Sequence, residues 1–79
     1  MMRLVMFYLR PRLRPEAEDR ALALASIVPG VVRVTRFSSM PADPALARLY
    51  MALVDEKANI GTVAGGIRSV YDVDAAYGV

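Results

Sequence analysis

The sequence predicts an α+β domain in which two helices cover one face of a four-stranded antiparallel sheet. Three observations predict it: four short runs rich in β-branched and aromatic residues, two segments with apolar residues at helical spacing, and their order, strand-helix-strand-strand-helix-strand, within 79 residues. Residues 1–79 read as a single domain. A chain this short buries only about 60% of the surface its unfolded form exposes, so a lone copy is marginally stable. Apolar residues make up 56% of it, above the roughly 45–50% of ordinary globular domains. That is more apolar surface than one small core needs.

The first strand is Arg3 to Leu9 (RLVMFYL), closed by Pro11, which lacks the donor a continuing strand would use. A helix opens at Pro15 with Glu16, Glu18 and Asp19 in its first turns, where negative charge suits the helix dipole. Ala17, Ala21, Leu24 and Val28 form its apolar stripe, widened by Leu22 and Ala25, and Pro29-Gly30 ends it. Val31 to Ser38 is the second strand, and Ser39 to Pro44 has the composition of a loop. Arg48 to Val54 is the third strand. Asn59 is placed to cap a second helix carrying Ile60, Val63, Ala64, Ile67 and Val70; Gly61, Gly65 and Gly66 each cost it about 1 kcal/mol relative to Ala, so packing must hold it. The tail closes the chain as a fourth strand, with Val73, Ala75, Tyr77 and Val79 alternating onto one face.

This β-α-β-β-α-β order is the ferredoxin-like arrangement, whose second sheet face is left open. An open face should show alternation of apolar and polar residues. Here it does not: Val5, Phe7 and Leu9 lie on one face of strand one and Leu4, Met6 and Tyr8 on the other, while strand three sets Leu49, Met51 and Leu53 against Tyr50, Ala52 and Val54. Both faces read as buried, which points to a homo-oligomer, a dimer or higher, joined through the open face; a helix-free face that carries a few tolerated apolar residues is the alternative. Phe7, Tyr8, Phe37, Tyr50 and Tyr77 are the candidate interface or pocket residues. Tyr8, Tyr50, Tyr71 and Tyr77 suit either a subunit contact or a ligand pocket at one.

Chemistry is bounded by what is missing. With no Cys and no His, there is neither a disulfide nor the thiolate or imidazole donors of a structural zinc site, and no residue to activate Ser26, Thr35, Ser38, Ser39, Thr62 or Ser69. Lys57 sits in a polar turn. Asp72 and Asp74 share a face of an extended segment and are a weak acid/base or hard-metal pair; charges that guard an edge strand explain them as well. Gly65-Gly66 lacks the context of a phosphate loop and fits close helix packing. No catalytic residue, metal site or cofactor is expected. The Arg10-Pro11-Arg12-Leu13-Arg14-Pro15 stretch is the candidate anion site, since Arg10, Arg12 and Arg14 lie beside a helix N-terminus; a solvated loop whose arginines pair with nearby acids is the alternative. Net charge is +2, with seven Arg against three acids in residues 1–36 and three bases against five acids in residues 37–79. That falls short of a nucleic-acid-binding excess, and no aromatic-rich RNA-binding motif accompanies it. The apolar run after Arg3 is too short to span a bilayer or to act as a signal sequence, so a cytoplasmic location is expected.

The junction Ile27-Val28-Pro29-Gly30-Val31-Val32-Arg33-Val34 resembles one shared by heavy-metal-associated domains and by the ligand-sensing domains of Lrp/AsnC-type regulators, and Ala76-Tyr77-Gly78-Val79 resembles the end of a heavy-metal-associated domain. The first resemblance implies metal trafficking, yet the loop that holds a Cys-x-x-Cys in those domains is here Arg10 to Arg14. The second, which extends to Ile67-Arg68-Ser69-Val70 before the last strand, implies a stand-alone oligomer binding small effectors between subunits. In size and fold the chain is also similar to the small chaperone of periplasmic nitrate reductase, which binds a signal peptide on its sheet. The expected function is a non-catalytic ligand-binding or protein-interaction module that self-associates, its partner a small anionic ligand or a protein. The alternatives are a degenerate metal-trafficking domain without thiol ligands and a small enzyme of the dimeric α/β-barrel kind.

Overall fold

In a computed structural model, residues 3–38 and 43–79 are described. Strand β1 (Arg3–Leu9) takes an inner place in the sheet, as its apolar residues on both faces require. Helix α1 (Pro15–Ser26) starts at Pro15, whose fixed φ fits the first turn, and has no side-chain cap at Arg14. The chain then turns through Gly30, at φ +95°, where a Cβ would lie 2.8 Å from Ala58 Cβ and 2.9 Å from Val63 Cγ2. Only glycine fits that turn. Strand β2 (Val31–Arg36) follows, then a four-residue helix, α2 (Pro44–Ala47), capped by the Asp43 carboxylate accepting from the Ala45 amide at 2.8 Å. Strand β3 (Leu49–Val54), helix α3 (Ile60–Arg68) and strand β4 (Val73–Gly78) complete the chain. Asn59 caps α3 as expected, its side-chain oxygen accepting from the Thr62 amide at 3.0 Å.

All pairings are antiparallel and the strand order is β2-β3-β1-β4. That is the ferredoxin-like order, with β2 and β4 at the edges. The core lies between sheet and helices: Val5, Phe7, Leu9, Tyr50, Ala52, Val54, Val73 and Ala76 from the strands meet Ala21 and Ala25 of α1 and Val63, Ala64 and Ile67 of α3.

Four expectations are corrected. The stripe of α1 is centred on Ala21 and Ala25, so Leu24, nearly a quarter-turn from that centre, is 43% exposed. The β4 alternation is broken, because Leu9 pairs with Val73 while Tyr8 pairs with Ala75. This irregularity takes up Asp74 and turns Val73 into the core with Ala76, leaving Ala75 and Tyr77 on the other face. The end of the expected Ser39–Pro44 loop begins a helix, since Asp43 and Pro44 form a cap and first turn; Ser39 to Ala42 lie outside the described residues. In the glycine pair, Gly66 is held by packing, a Cβ there falling 2.7 Å from Val28 Cγ1, but Gly65 has nothing within 4 Å.

Candidate functional site

Register decides which side chains share the uncovered face. Leu4, Met6 and Tyr8 of β1 stand opposite Leu53, Met51 and Leu49 of β3; Met6 and Tyr8 also stand opposite Tyr77 and Ala75 of β4; and Thr35 and Arg33 of β2 stand opposite Met51 and Leu53. The Phe37 amide donates to the Leu49 carbonyl at 3.1 Å, continuing that register one step past β2. The result is an apolar surface over β1, β3 and β4, centred on Met6 and Met51, with Thr35 and Arg33 of β2 along one side. Leu49 is buried yet lies outside the helix-side core, between Tyr8 and Phe37. Tyr77 is 52% and Phe37 45% exposed.

The rim of this face is polar and ordered. Arg48 lies with its guanidinium carbon 5.7 Å from the Tyr8 ring centroid, donates from Nη1 to the Leu9 carbonyl at 2.8 Å, and stands 3.9 Å from an Asp74 carboxylate oxygen. Tyr8 meets Tyr77 edge-on at 6.4 Å between centroids. The aromatic pair and its arginine thus order the β1–β4 end of the face.

Of the candidate residues, Tyr8, Phe37 and Tyr77 reach the open face. Phe7 and Tyr50 do not. Both point to the helices, are 0% and 2% exposed, and stack at 5.8 Å between centroids. Strand periodicity forces this, since Phe7 and Tyr50 are register partners flanked by open-face residues on both strands. The Tyr50 hydroxyl donates to Glu18 Oε1 at 3.0 Å, and Arg36 covers the ring at 5.2 Å while donating to the same oxygen at 3.4 Å. Burial first, then the Glu18 hydrogen bond and charge, hold the Tyr50 hydroxyl above the ordinary tyrosine pKa; the Arg36 charge opposes them. Tyr50 also reaches a depression of about 580 Å³ between α1 and β2.

The three loop arginines are not equivalent. Arg10 is engaged, its Nε donating to the Tyr71 carbonyl at 3.0 Å with its guanidinium 5.6 Å from that ring's centroid, and its amide donating to the Asp72 carbonyl at 2.8 Å. Arg12, at φ +62°, and Arg14 are exposed and form no side-chain bond with another described residue. The four tyrosines are dispersed: Tyr8 and Tyr77 on the open face, Tyr50 under α1, and Tyr71, 83% exposed, beside Arg10. Asp72 precedes β4 and Asp74 is taken by Arg48. Among the described residues no three carboxylates gather into a metal-binding group, and no helix is long and apolar enough to cross a membrane. Periodicity missed the Arg48 rim, which needs the β1–β3 register, and the Glu18–Tyr50–Arg36 cluster. The latter had a signal: Glu18 sits one turn before Ala21 and Leu22 on the inward side of α1.

No protein-family profile matches the chain, and neither does any curated protein. Among solved structures, the yeast copper transporter domain CCC2A, determined in solution in its apo and Cu(I)-loaded states, matches with a TM-score of 0.59 at 9% identity, over 98% of this chain and 94% of that one. The chain has a ferredoxin-like fold. It shares that fold with a heavy-metal-associated domain, as the junction after α1 and the closing residues suggested. An identity this low carries the fold and nothing more.

Proposed function

We propose that this chain is a non-catalytic interaction module that self-associates by packing its open sheet face against that of a second copy. The observation that carries the reading is the apolar band from Met51 and Leu53 of β3 through Leu4, Met6 and Tyr8 of β1 to Tyr77 of β4, bordered on the β2 side by Thr35 and Arg33. Four strands of about six residues give a footprint of about 19 by 20 Å. Two such faces bury on the order of 1,000 Å² with their rims, at the low end for a specific interface. A micromolar, reversible dimer is therefore expected. Light scattering over a dilution series tests it. Met51→Glu, which places a carboxylate at the centre of the face, should weaken the dimer at least about 100-fold while leaving the fold intact, because an unpaired charge in an apolar interface costs several kcal/mol. A wild-type monomer throughout the micromolar range contradicts the proposal.

The second reading is a metal-trafficking domain without thiols, favoured by the fold it shares with a copper transporter domain. Its soft donors among the described residues are Met6 and Met51, directly opposite each other on the open face. Thioethers suit Cu(I). Saturable Cu(I) uptake lost in Met6→Leu/Met51→Leu supports this reading; no uptake removes it.

A further inference from the structure

The two sheet edges are finished differently. At β4, the register is irregular, Asp74 is drawn to Arg48, and Arg68 Nη2 donates to the Ala76 carbonyl at 3.1 Å. Such features stop an edge from pairing with another strand. At β2, among the described residues, no side chain hydrogen-bonds to the backbone of Val31–Arg36. The register turns the amides and carbonyls of Val34 and Arg36 away from β3, while the Val31 amide donates to the Val28 carbonyl at 3.0 Å, and the depression of about 580 Å³ runs along this edge, with Val32 to Arg36 on one wall and Leu22, Ala23 and Ser26 of α1 on the other. Val32 is 53% exposed. A strand edge beside a helix, with apolar space between, is the geometry that accepts an extended peptide as an added strand.

Charge selects the occupant. β2 carries Arg33 and Arg36 and no acid; Arg36 is shared with Glu18, while Arg33 is exposed and forms no ion pair with another described residue. Pairing β2 with β2 of a second copy would bring like charges together across the two-fold axis, which is destabilising. Arg33 and Thr35 point to the open-face side, and Val34 and Arg36 to the helix side. We infer that the β2 edge is a docking site for an extended segment of another protein, with apolar side chains toward α1 and an acidic residue on the opposite side, beside Arg33. The strand edge and the groove against α1 lie outside the open face, which the site borders only at Arg33, and the docking does not depend on self-association there.

The test is selection from a displayed library of random ten-residue peptides against the intact chain, with binders located by amide shift changes. The expected binders alternate β-branched residues with Asp or Glu, and shift the amides of Val32–Arg36 and Leu22–Ser26. Arg33→Glu should lower their affinity at least tenfold, and replacing the peptide's acid by Lys should restore it. N-methylating alternate peptide amides should abolish binding if backbone pairing holds the strand. Binders that shift the open face instead, basic peptides that bind wild type equally well, or a library with no binder perturbing β2 would each overturn the inference.

Discussion

Phe7 and Met6 are neighbours on β1 that point to opposite sides of the sheet, and truncating each to Ala should have consequences of different kinds. Phe7 is 0% exposed and packed on Tyr50 in the helix-side core. Its removal leaves a cavity and should cost about 3–5 kcal/mol. A domain of this length has a total stability of about 4–12 kcal/mol, so Phe7→Ala consumes a large part of it at any protein concentration. Met6 is half-buried on the open face. In an isolated protomer Met6→Ala withdraws only part of a side chain from its neighbours, costing about 1 kcal/mol or less. In a face-to-face dimer the same side chain is covered completely and the cost rises to about 2–3 kcal/mol. Urea denaturation at low and at high micromolar concentration separates the cases. Phe7→Ala should lower the midpoint equally at both, whereas Met6→Ala should do so mainly at the higher one. Equal losses for the two variants in dilute protein would refute the division of the sheet into a core face and a contact face.

Three further outcomes follow from local geometry. Gly65→Ala should stabilise the protein by up to about 1 kcal/mol, since a helical glycine with open space gains from a methyl group, while Gly66→Ala should destabilise it by driving that methyl into Val28; thermal melts of the two single variants check this. Tyr50, with its pKa raised in the folded state, contributes stability that is complete below the ordinary tyrosine value near 10 and is lost as pH climbs through the folded value. Denaturation midpoints measured from neutral to strongly alkaline pH should fall less steeply for Tyr50→Phe than for wild type; an unchanged slope would remove the Glu18 contact from the account. Asn59→Ala should cost about 1 kcal/mol by freeing the Thr62 amide, read from the same melts.

The strand and helix order was legible because each element carries its own period and its own stop: Pro11 after β1, Pro29-Gly30 after α1, Asn59 before α3. The double-sided hydrophobicity of β1 and β3 was legible too, and the register places Leu4, Met6, Tyr8, Met51 and Leu53 where alternation put them. What failed needed a partner strand or helix to be seen. The irregularity at Asp74 is a property of the β1–β4 pair, so the last strand looked regular on its own. Phe7 and Tyr50 were grouped with Tyr8 and Tyr77 by residue type, although their own alternation with Met6 and Met51 already placed them under the helices. The contact between Arg10 and Tyr71, 61 positions away, could not be read from the Arg10–Arg14 loop itself. Helix α2 is too short to show a period, and only the Asp43-Pro44 cap announces it.

The most direct measurement is an isotope-filtered nuclear Overhauser experiment on a sample mixed from labelled and unlabelled chains, observing the methyl groups of Met6 and Met51. Self-association through the open face predicts contacts between protomers from these methyls to Met6, Met51, Leu53 and Tyr8 of the other copy. No intermolecular contact at millimolar concentration, or contacts confined to β2 and α1, would contradict it.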